Sequence, residues 1–128
     1  MRALLDTHAF LWTVTDDRRL SPAARACIAD GANELLLSAA SMWEIVLKSS
    51  AGKLSLKGGA AHFLEQQIQR AQLRCLPIAP EHVLRVASLP ALHRDPFDRL
   101  LIAQAQAEKL PLITGNPAIR RYAVQVIW

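Results

Sequence analysis

The sequence predicts an α/β fold in which helices cover both faces of a central, mainly parallel sheet. Short, nearly all-apolar runs recur along the chain: ALL (3–5), ELLLS (34–38), LRCLPI (73–78), PLIT (111–114) and AVQVI (123–127). Longer segments with helical periodicity and helix-start residues separate them. A strand that is apolar at successive positions has no solvent-facing side, so its sheet must be covered above and below, as parallel sheets are.

Taken in order, ALL forms a buried strand that ends at Asp6. HAFLWTVT (8–15) has helical spacing, with Ala9, Trp12 and Thr13 on one side. Ser21 and Pro22 open a second helix as N-cap and first-turn proline, and Gly31 closes it. ELLLS is the second strand. ASMWEIVLKSSAG (40–52) predicts a helix with Lys48 late in it and Gly52 as its stop. GGAAHFLEQQIQRAQ (58–72) is the clearest amphipathic helix, with Phe63, Leu64 and Ile68 on one face. LRCLPI is a short strand, and Pro80 starts a helix through Leu89. DPFDRLLIAQAQAE (95–108) is helical, with Asp95 as N-cap and Pro96 in the first turn. PLIT is a strand, Asn116 and Pro117 cap a brief helix, and AVQVI ends the chain as a strand. The expected order is βααβααβααβαβ, with no repeat, linker or charge block.

A single domain over residues 1–128 is expected, because a chain of this size buries about two-thirds of its unfolded surface without disulfide or metal support. The composition, 52% hydrophobic and 20% charged, excludes a disordered protein. Cys27 and Cys75 make no CxxC pair, so neither a disulfide scaffold nor a zinc knuckle is indicated. No uncharged stretch approaches the ~18 residues of a membrane span. Asp6 interrupts the start before a signal-peptide core forms, so a soluble cytoplasmic protein is expected. The net charge of +4 favours an anionic partner such as nucleic acid.

In open parallel sheets, ligands bind beyond the carboxyl ends of the strands. The polar residues at those ends are Asp6, Ser38 followed by Glu44, and Thr114 with Asn116; Asp95 and Asp98 open the apolar helix before PLIT. Each has an ordinary alternative. Asp6 and Asn116 are good N-caps, Glu44 is a typical solvated helix charge, and Asp95-x-x-Asp98 is a variant of the capping box. Asp98, however, shares a face with Leu101, Ile102 and Ala105. A carboxylate there must be satisfied by a cation or by donors, and Arg94 and Arg99 are nearby candidates. The joint pattern is more telling, since the topology sends Asp6, Glu44 and Asp98 to one sheet edge. Three converging carboxylates need a cation, and Mg2+ or Mn2+ takes hard oxygen ligands. No His pair has zinc-ligand spacing, so His8, His62, His82 and His93 are expected to be surface or structural, although His93 flanks the acidic pair.

LLDTHAFLW, SAASMWEI, HRDPFDRLLIAQA and LPLITGNP together resemble the PIN-domain nucleases, and within them the VapC-type toxins of toxin–antitoxin pairs. The resemblance runs in register over essentially the whole chain. It implies a three-layer α/β/α sandwich with an acidic pocket that binds Mg2+ or Mn2+ and hydrolyses RNA. The family's three acids fall on Asp6, Glu44 and Asp98, and an extra acid of the subgroup falls on Asp95. The fourth acid falls on Asn116, where this sequence departs from the pattern. The resemblance makes Asp6 and Asp98 ligands, makes Glu44 a ligand or a water-positioning group, and leaves Asn116 and Asp95 as further candidates. Thr7, Thr114 and Asn116 would orient them. Lys48, Arg94, Arg99 and Arg120 would hold the phosphate backbone, or form ordinary solvated surface. It further implies a homodimer and a small antitoxin partner.

Two other functions fit less well. A phosphoacceptor receiver domain wants an acid pair after its first strand and a Lys after its last, and this chain has neither. A non-catalytic RNA- or protein-binding module on a degraded nuclease fold has only Asn116 in its favour. From the sequence, Asn116→Asp is expected to tighten cation binding at little cost in stability, because Asp caps a helix as well as Asn does.

Overall fold

The computed structural model describes residues 1–128. Its elements are β1 (Arg2–Leu5), α1 (Thr7–Thr15), α2 (Pro22–Ala29), β2 (Glu34–Ser38), α3 (Ala39–Ser50), α4 (Ala60–Arg70), β3 (Arg74–Leu76), α5 (Pro80–Val86), α6 (Pro96–Glu108), β4 (Leu112–Ile113) and β5 (Val126–Ile127), with a 3-10 turn at Ile119–Arg121. The order is the one the sequence predicts, with a 3-10 turn where the last helix is expected. All strand pairs are parallel, and the five-stranded sheet runs β3-β2-β1-β4-β5. No helix is long and apolar enough to cross a membrane.

Strand alternation divides the core into two layers. Ala3, Leu5, Leu35, Leu37 and Ile113 pack on one face with Ala9 and Phe10 of α1, Ala24 of α2, Ile45 of α3 and Leu64 of α4. Leu4, Leu36, Leu76 and Leu112 point to the other, against Leu101, Ile102 and Ala105 of α6 and against Leu89, Ile119 and Tyr122. Each fully buried Leu or Ile stabilises the fold by about 1.5–3 kcal/mol relative to exposure. That two-sided burial is why the strands lack a polar face.

The element ends differ from expectation for local reasons. The amphipathic helix starts at Ala60, not Gly58, because Gly58 and Gly59 have φ of 81° and 89°, outside the helical region. It stops at Arg70, and Gln72 turns left-handed with φ 53°. The second helix ends at Ala29 with Asp30 as its C-cap, so Gly31 lies beyond it. α5 ends at Val86, and turns lead to Leu89. PLIT, LRCLPI and AVQVI shrink to two or three paired residues each, because only those lie opposite a neighbouring strand. Asn116 caps a turn rather than an α-helix, its Oδ1 accepting from the Ala118 N–H at 3.0 Å.

Candidate active site

β1 is flanked by β2 on one side and β4 on the other, so the chain leaves the sheet centre in opposite directions from β1 and β4. The crevice at such a switch point is where open α/β sheets bind ligands. Asp6 follows β1 and Thr114 follows β4, and both are buried there. A small cavity of about 240 Å³ opens beside them, lined by Asp6, His8, Trp12, Gly115, Asn116 and Pro117. Gly115 lets the Trp128 indole pack directly over this turn: an added Cβ would lie 2.5 Å from the ring, which would have to shift.

One hydrogen-bonded network joins Asp6 to Asp98, and a second holds Glu44 to Thr7, the residue after Asp6. Asp6 is the N-cap of α1, its Oδ1 accepting from the Ala9 N–H at 2.6 Å. Its Oδ2 accepts from the Thr114 hydroxyl, and that hydroxyl in turn accepts from the Asn116 N–H at 3.0 Å. The Asn116 Nδ2 donates to Asp98 Oδ2 at 3.0 Å, and His93 Nε2 lies 3.1 Å from the same oxygen. Thr7, next to Asp6, donates to Glu44 Oε1 at 2.6 Å, and Lys48 Nζ sits 2.8 Å from Glu44 Oε2. Asp6 and Glu44 are 4% and 5% exposed, so this negative charge is held out of bulk water.

Burial is the main reason that the Asp6 carboxyl is pushed above its ordinary range; the Thr114 and Ala9 donors and His8 pull against it, and Glu44 adds to it. Asp98 is also raised, by burial first, then by Asp95 and Glu44, with His93 opposing. An acid raised in the folded state binds protons more tightly folded than unfolded. Its stability contribution is therefore complete below the ordinary value of 3.8 and lost as pH rises through the raised folded value. Asp17, lowered to about 2 by Arg19, acts with the opposite sign, but only below 3.8. Urea denaturation of the metal-free protein should therefore show stability falling as pH rises from about 4 to neutrality. In Asp6→Asn the fall should be smaller. An equal slope in both proteins would mean that Asp6 is not strained by its burial.

Several sequence expectations change in the structure. Arg99 is not a free phosphate contact: its Nη1 donates to Pro90 O at 2.8 Å and to the Tyr122 hydroxyl at 3.0 Å. Lys48 pairs with Glu44 at 2.8 Å while its side chain stays 40% exposed. Asp95 is exposed, and its Oδ1 caps α6 by accepting from the Asp98 N–H at 3.0 Å. The amide oxygen of Asn116 is spent on Ala118, so the group facing Asp98 is a donor. Arg94 and Arg120 are exposed, as are His8 and His62. His93 and Tyr122 belong to the network although the sequence did not single out Tyr122 at all, and His93 was visible only as a neighbour of the acidic pair.

Another set of ligand-type atoms, from Glu81, His82 and Glu108, lies within 4.8 Å of one another. His82 is buried, and its Nδ1 faces the Ala79 N–H at 3.0 Å and Gln104 Nε2 at 3.4 Å. Two donors on Nδ1 place the ring proton on Nε2, 3.4 Å from Glu108 Oε2. With both nitrogens engaged, His82 ties the start of α5 to α6 and has no lone pair left for a cation. The Asp6, Glu44 and Asp98 oxygens form no cluster that tight. Their donor set nevertheless suits a hard, hydrated cation: only oxygens, mostly buried, and more negative than Lys48 can balance. Asp98 Oδ1 accepts no hydrogen bond from the protein. On the Glu44 face of α3, the buried Ser41 hydroxyl also lacks a protein partner.

The PIN domain family model matches residues 3–125. The chain belongs to the PIN domain family. Among its relatives, Ribonuclease VapC22 of Mycobacterium tuberculosis is 29% identical over 120 residues, which covers 93% of this chain and 90% of that protein. Two of the solved structures that share the fold illustrate it. One is VapBC2 from Rickettsia felis bound to a DNA fragment from its promoter, with a TM-score of 0.72 and 17% identity over 98% of this chain and 97% of that one. The other is DNA-bound VapBC from Salmonella typhimurium, with a TM-score of 0.73 and 15% identity over 98% and 96%. The α/β fold read from the apolar runs, and the PIN fold that the resemblance implied, is therefore the fold of this chain.

Proposed function

We propose that this PIN domain is a metal-dependent endoribonuclease and the toxin of a toxin–antitoxin pair. The observation that carries this is the set of three acids held at the sheet's switch point, Asp6 and Asp98 by one hydrogen-bonded network and Glu44 by Thr7, the chain neighbour of Asp6, with two of the three raised by burial. The similarity to a VapC ribonuclease and to VapBC complexes supports it. The residues that hold the cation are Asp6, Glu44 and Asp98, and the ion is Mg2+ or Mn2+, given a donor set of oxygens alone. When bound, such an ion polarises a phosphoryl oxygen and lowers the pKa of a water at the site.

The chain's own groups do the rest. Thr114 and the Ala9 N–H fix both oxygens of Asp6, while Thr7 and Lys48 fix both oxygens of Glu44. Asn116 and His93 hold Asp98 by one oxygen and leave the other open. Exposed Arg94 and Arg120 supply positive charge for the RNA backbone, in a protein whose net charge is +4. The reading includes a single catalytic domain over residues 1–128, a cytoplasmic location, a homodimer and a small antitoxin. An apolar surface lies close to the acids for such a partner, because Trp43, at 56% exposed, and Leu47 emerge from the same helix as Glu44.

Purified, partner-free protein is expected to cleave single-stranded RNA in Mg2+ or Mn2+ and to stop when EDTA is added. Cleavage that continues undiminished in EDTA overturns the metal-dependent reading.

A further inference from the structure

We infer that His93 is a positioning residue for Asp98, locked in a single tautomer by Tyr122 and Arg99. This rests on the nuclease reading above and adds a role for residues outside the acid set.

The Tyr122 hydroxyl has one proton to give and two lone pairs to fill. It accepts from Arg99 Nη1 at 3.0 Å and from the His93 backbone N–H at 3.2 Å. With both acceptor positions taken, its own proton goes to the remaining close partner, His93 Nδ1 at 2.7 Å. Nδ1 is then the acceptor, and in the neutral ring the proton resides on Nε2. That nitrogen lies 3.1 Å from Asp98 Oδ2, and it donates there.

The phenol is itself immobilised. Arg99 reaches it from α6 while also binding Pro90 O at 2.8 Å, and Tyr122 is buried in the core beside Leu101 and Ile102. Arg121, its chain neighbour, donates to Leu92 O at 2.9 Å, so the segment before α6 is tied to the segment after β4 twice. The result is a relay from Arg99 to Tyr122 to His93 to Asp98, with every proton assigned.

Its consequence falls on one carboxylate. His93 and Asn116 both donate to Oδ2, while no protein donor reaches Oδ1. Two donors on one oxygen fix the rotation of the Asp98 carboxyl and reserve Oδ1 as the oxygen for a cation. Partners of this kind, one step removed from the ion, typically set metal affinity by about 10–100-fold. The sequence alone hides this, since His93 and Tyr122 are distant in the chain and meet only in the fold.

The test has two independent readouts. The first is the 15N pattern of the His93 ring in metal-free protein, which should report the Nε2–H tautomer with Nδ1 shifted by the hydrogen bond it accepts from Tyr122, a shift that should be lost in Tyr122→Phe. An Nδ1–H ring in the wild type overturns the relay. The second is Mn2+ affinity by calorimetry, read together with a thermal melt. His93→Ala should weaken Mn2+ about tenfold. His93→Gln places an amide donor near the position of Nε2, and it should recover most of that loss. Should His93→Ala fail to fold, the comparison rests on His93→Gln and Tyr122→Phe, and Tyr122→Phe should then bind Mn2+ several-fold more weakly than His93→Gln does. A purely structural tie predicts lowered melting temperatures with unchanged Mn2+ affinity in all folded variants, and that result overturns the inference. Wild-type protein that binds no Mn2+ overturns instead the reading of the acids as a metal site, and the role of His93 with it.

Discussion

Asp6→Asn is expected to reduce RNA cleavage by at least about 100-fold while leaving the fold intact. The substitution removes one unit of charge from the buried centre of the site and turns the atom facing the Thr114 hydroxyl from an acceptor into a donor, which that hydroxyl can accept. At 4 Å and an effective dielectric of ~20, one unit-charge pair is worth about 4 kcal/mol before desolvation, and a dication doubles it. Even after desolvation takes most of that, a few kcal/mol remain, and each 1.4 kcal/mol is about tenfold in rate. The structural cost is small for identifiable reasons. Asn caps helices about as well as Asp, so the 2.6 Å bond from the Ala9 N–H to Asp6 Oδ1 has an equivalent. The carboxylate being replaced is one that burial already disfavours. Melting temperature should therefore hold or rise at neutral pH. Asp6→Ala would confuse the two effects, because it also deletes the cap at a cost of about 1 kcal/mol. The measurement is a paired one, RNA cleavage and thermal melt on the same preparation. Wild-type cleavage by a well-folded Asp6→Asn protein would reduce Asp6 to a helix cap.

The features legible in the sequence were those set by local chemistry. Apolar runs such as ELLLS announced strands covered on both faces, and Asp6, Ser21 and Asp95 announced helix starts, where their side chains do accept backbone N–H groups. The placement of acids after strands followed from topology, because a parallel sheet gathers all its carboxyl ends on one edge. What stayed hidden depends on contacts between distant segments. Arg99 looks like a surface cation until Pro90 O and the Tyr122 hydroxyl are brought to it. Lys48 and Glu44 are four residues apart on one helix, a spacing that favours an ion pair, so that pairing was within reach of local reasoning. The turn at Gly58 and Gly59 escaped because helical periodicity continues through residues whose backbone does not. Asn116 is the most instructive case. Its residue type announced a cap, which it is, but nothing local revealed that the other end of the amide would face Asp98.

That orientation changes what Asn116→Asp should do. Sequence reasoning treats the substitution as nearly neutral for stability, since either residue can accept from the Ala118 N–H. In the structure, the atom being replaced is a donor 3.0 Å from Asp98 Oδ2, so the variant sets a carboxylate oxygen against a carboxylate oxygen. At that separation and an effective dielectric of ~20, the repulsion between two unit charges is about 5 kcal/mol before relaxation. The metal-free variant should respond by holding a proton between the two acids, which raises their apparent pKa values and lowers stability at neutral pH. A dication reverses the sign, because it removes the repulsion and gains a further negative neighbour. Mn2+ should therefore bind Asn116→Asp at least about tenfold more tightly than wild type and raise its melting temperature by a larger increment. Cleavage should increase most at limiting Mn2+ and little at saturation. The variant thus separates two roles that one side chain combines, since the amide steadies Asp98 without an ion and a carboxylate serves only with one. A common Mn2+ midpoint for both proteins would place Asn116 outside the ion's field. Weaker Mn2+ binding in the variant would mean that the hydrogen bond to Asp98 matters more to the site than an added charge does.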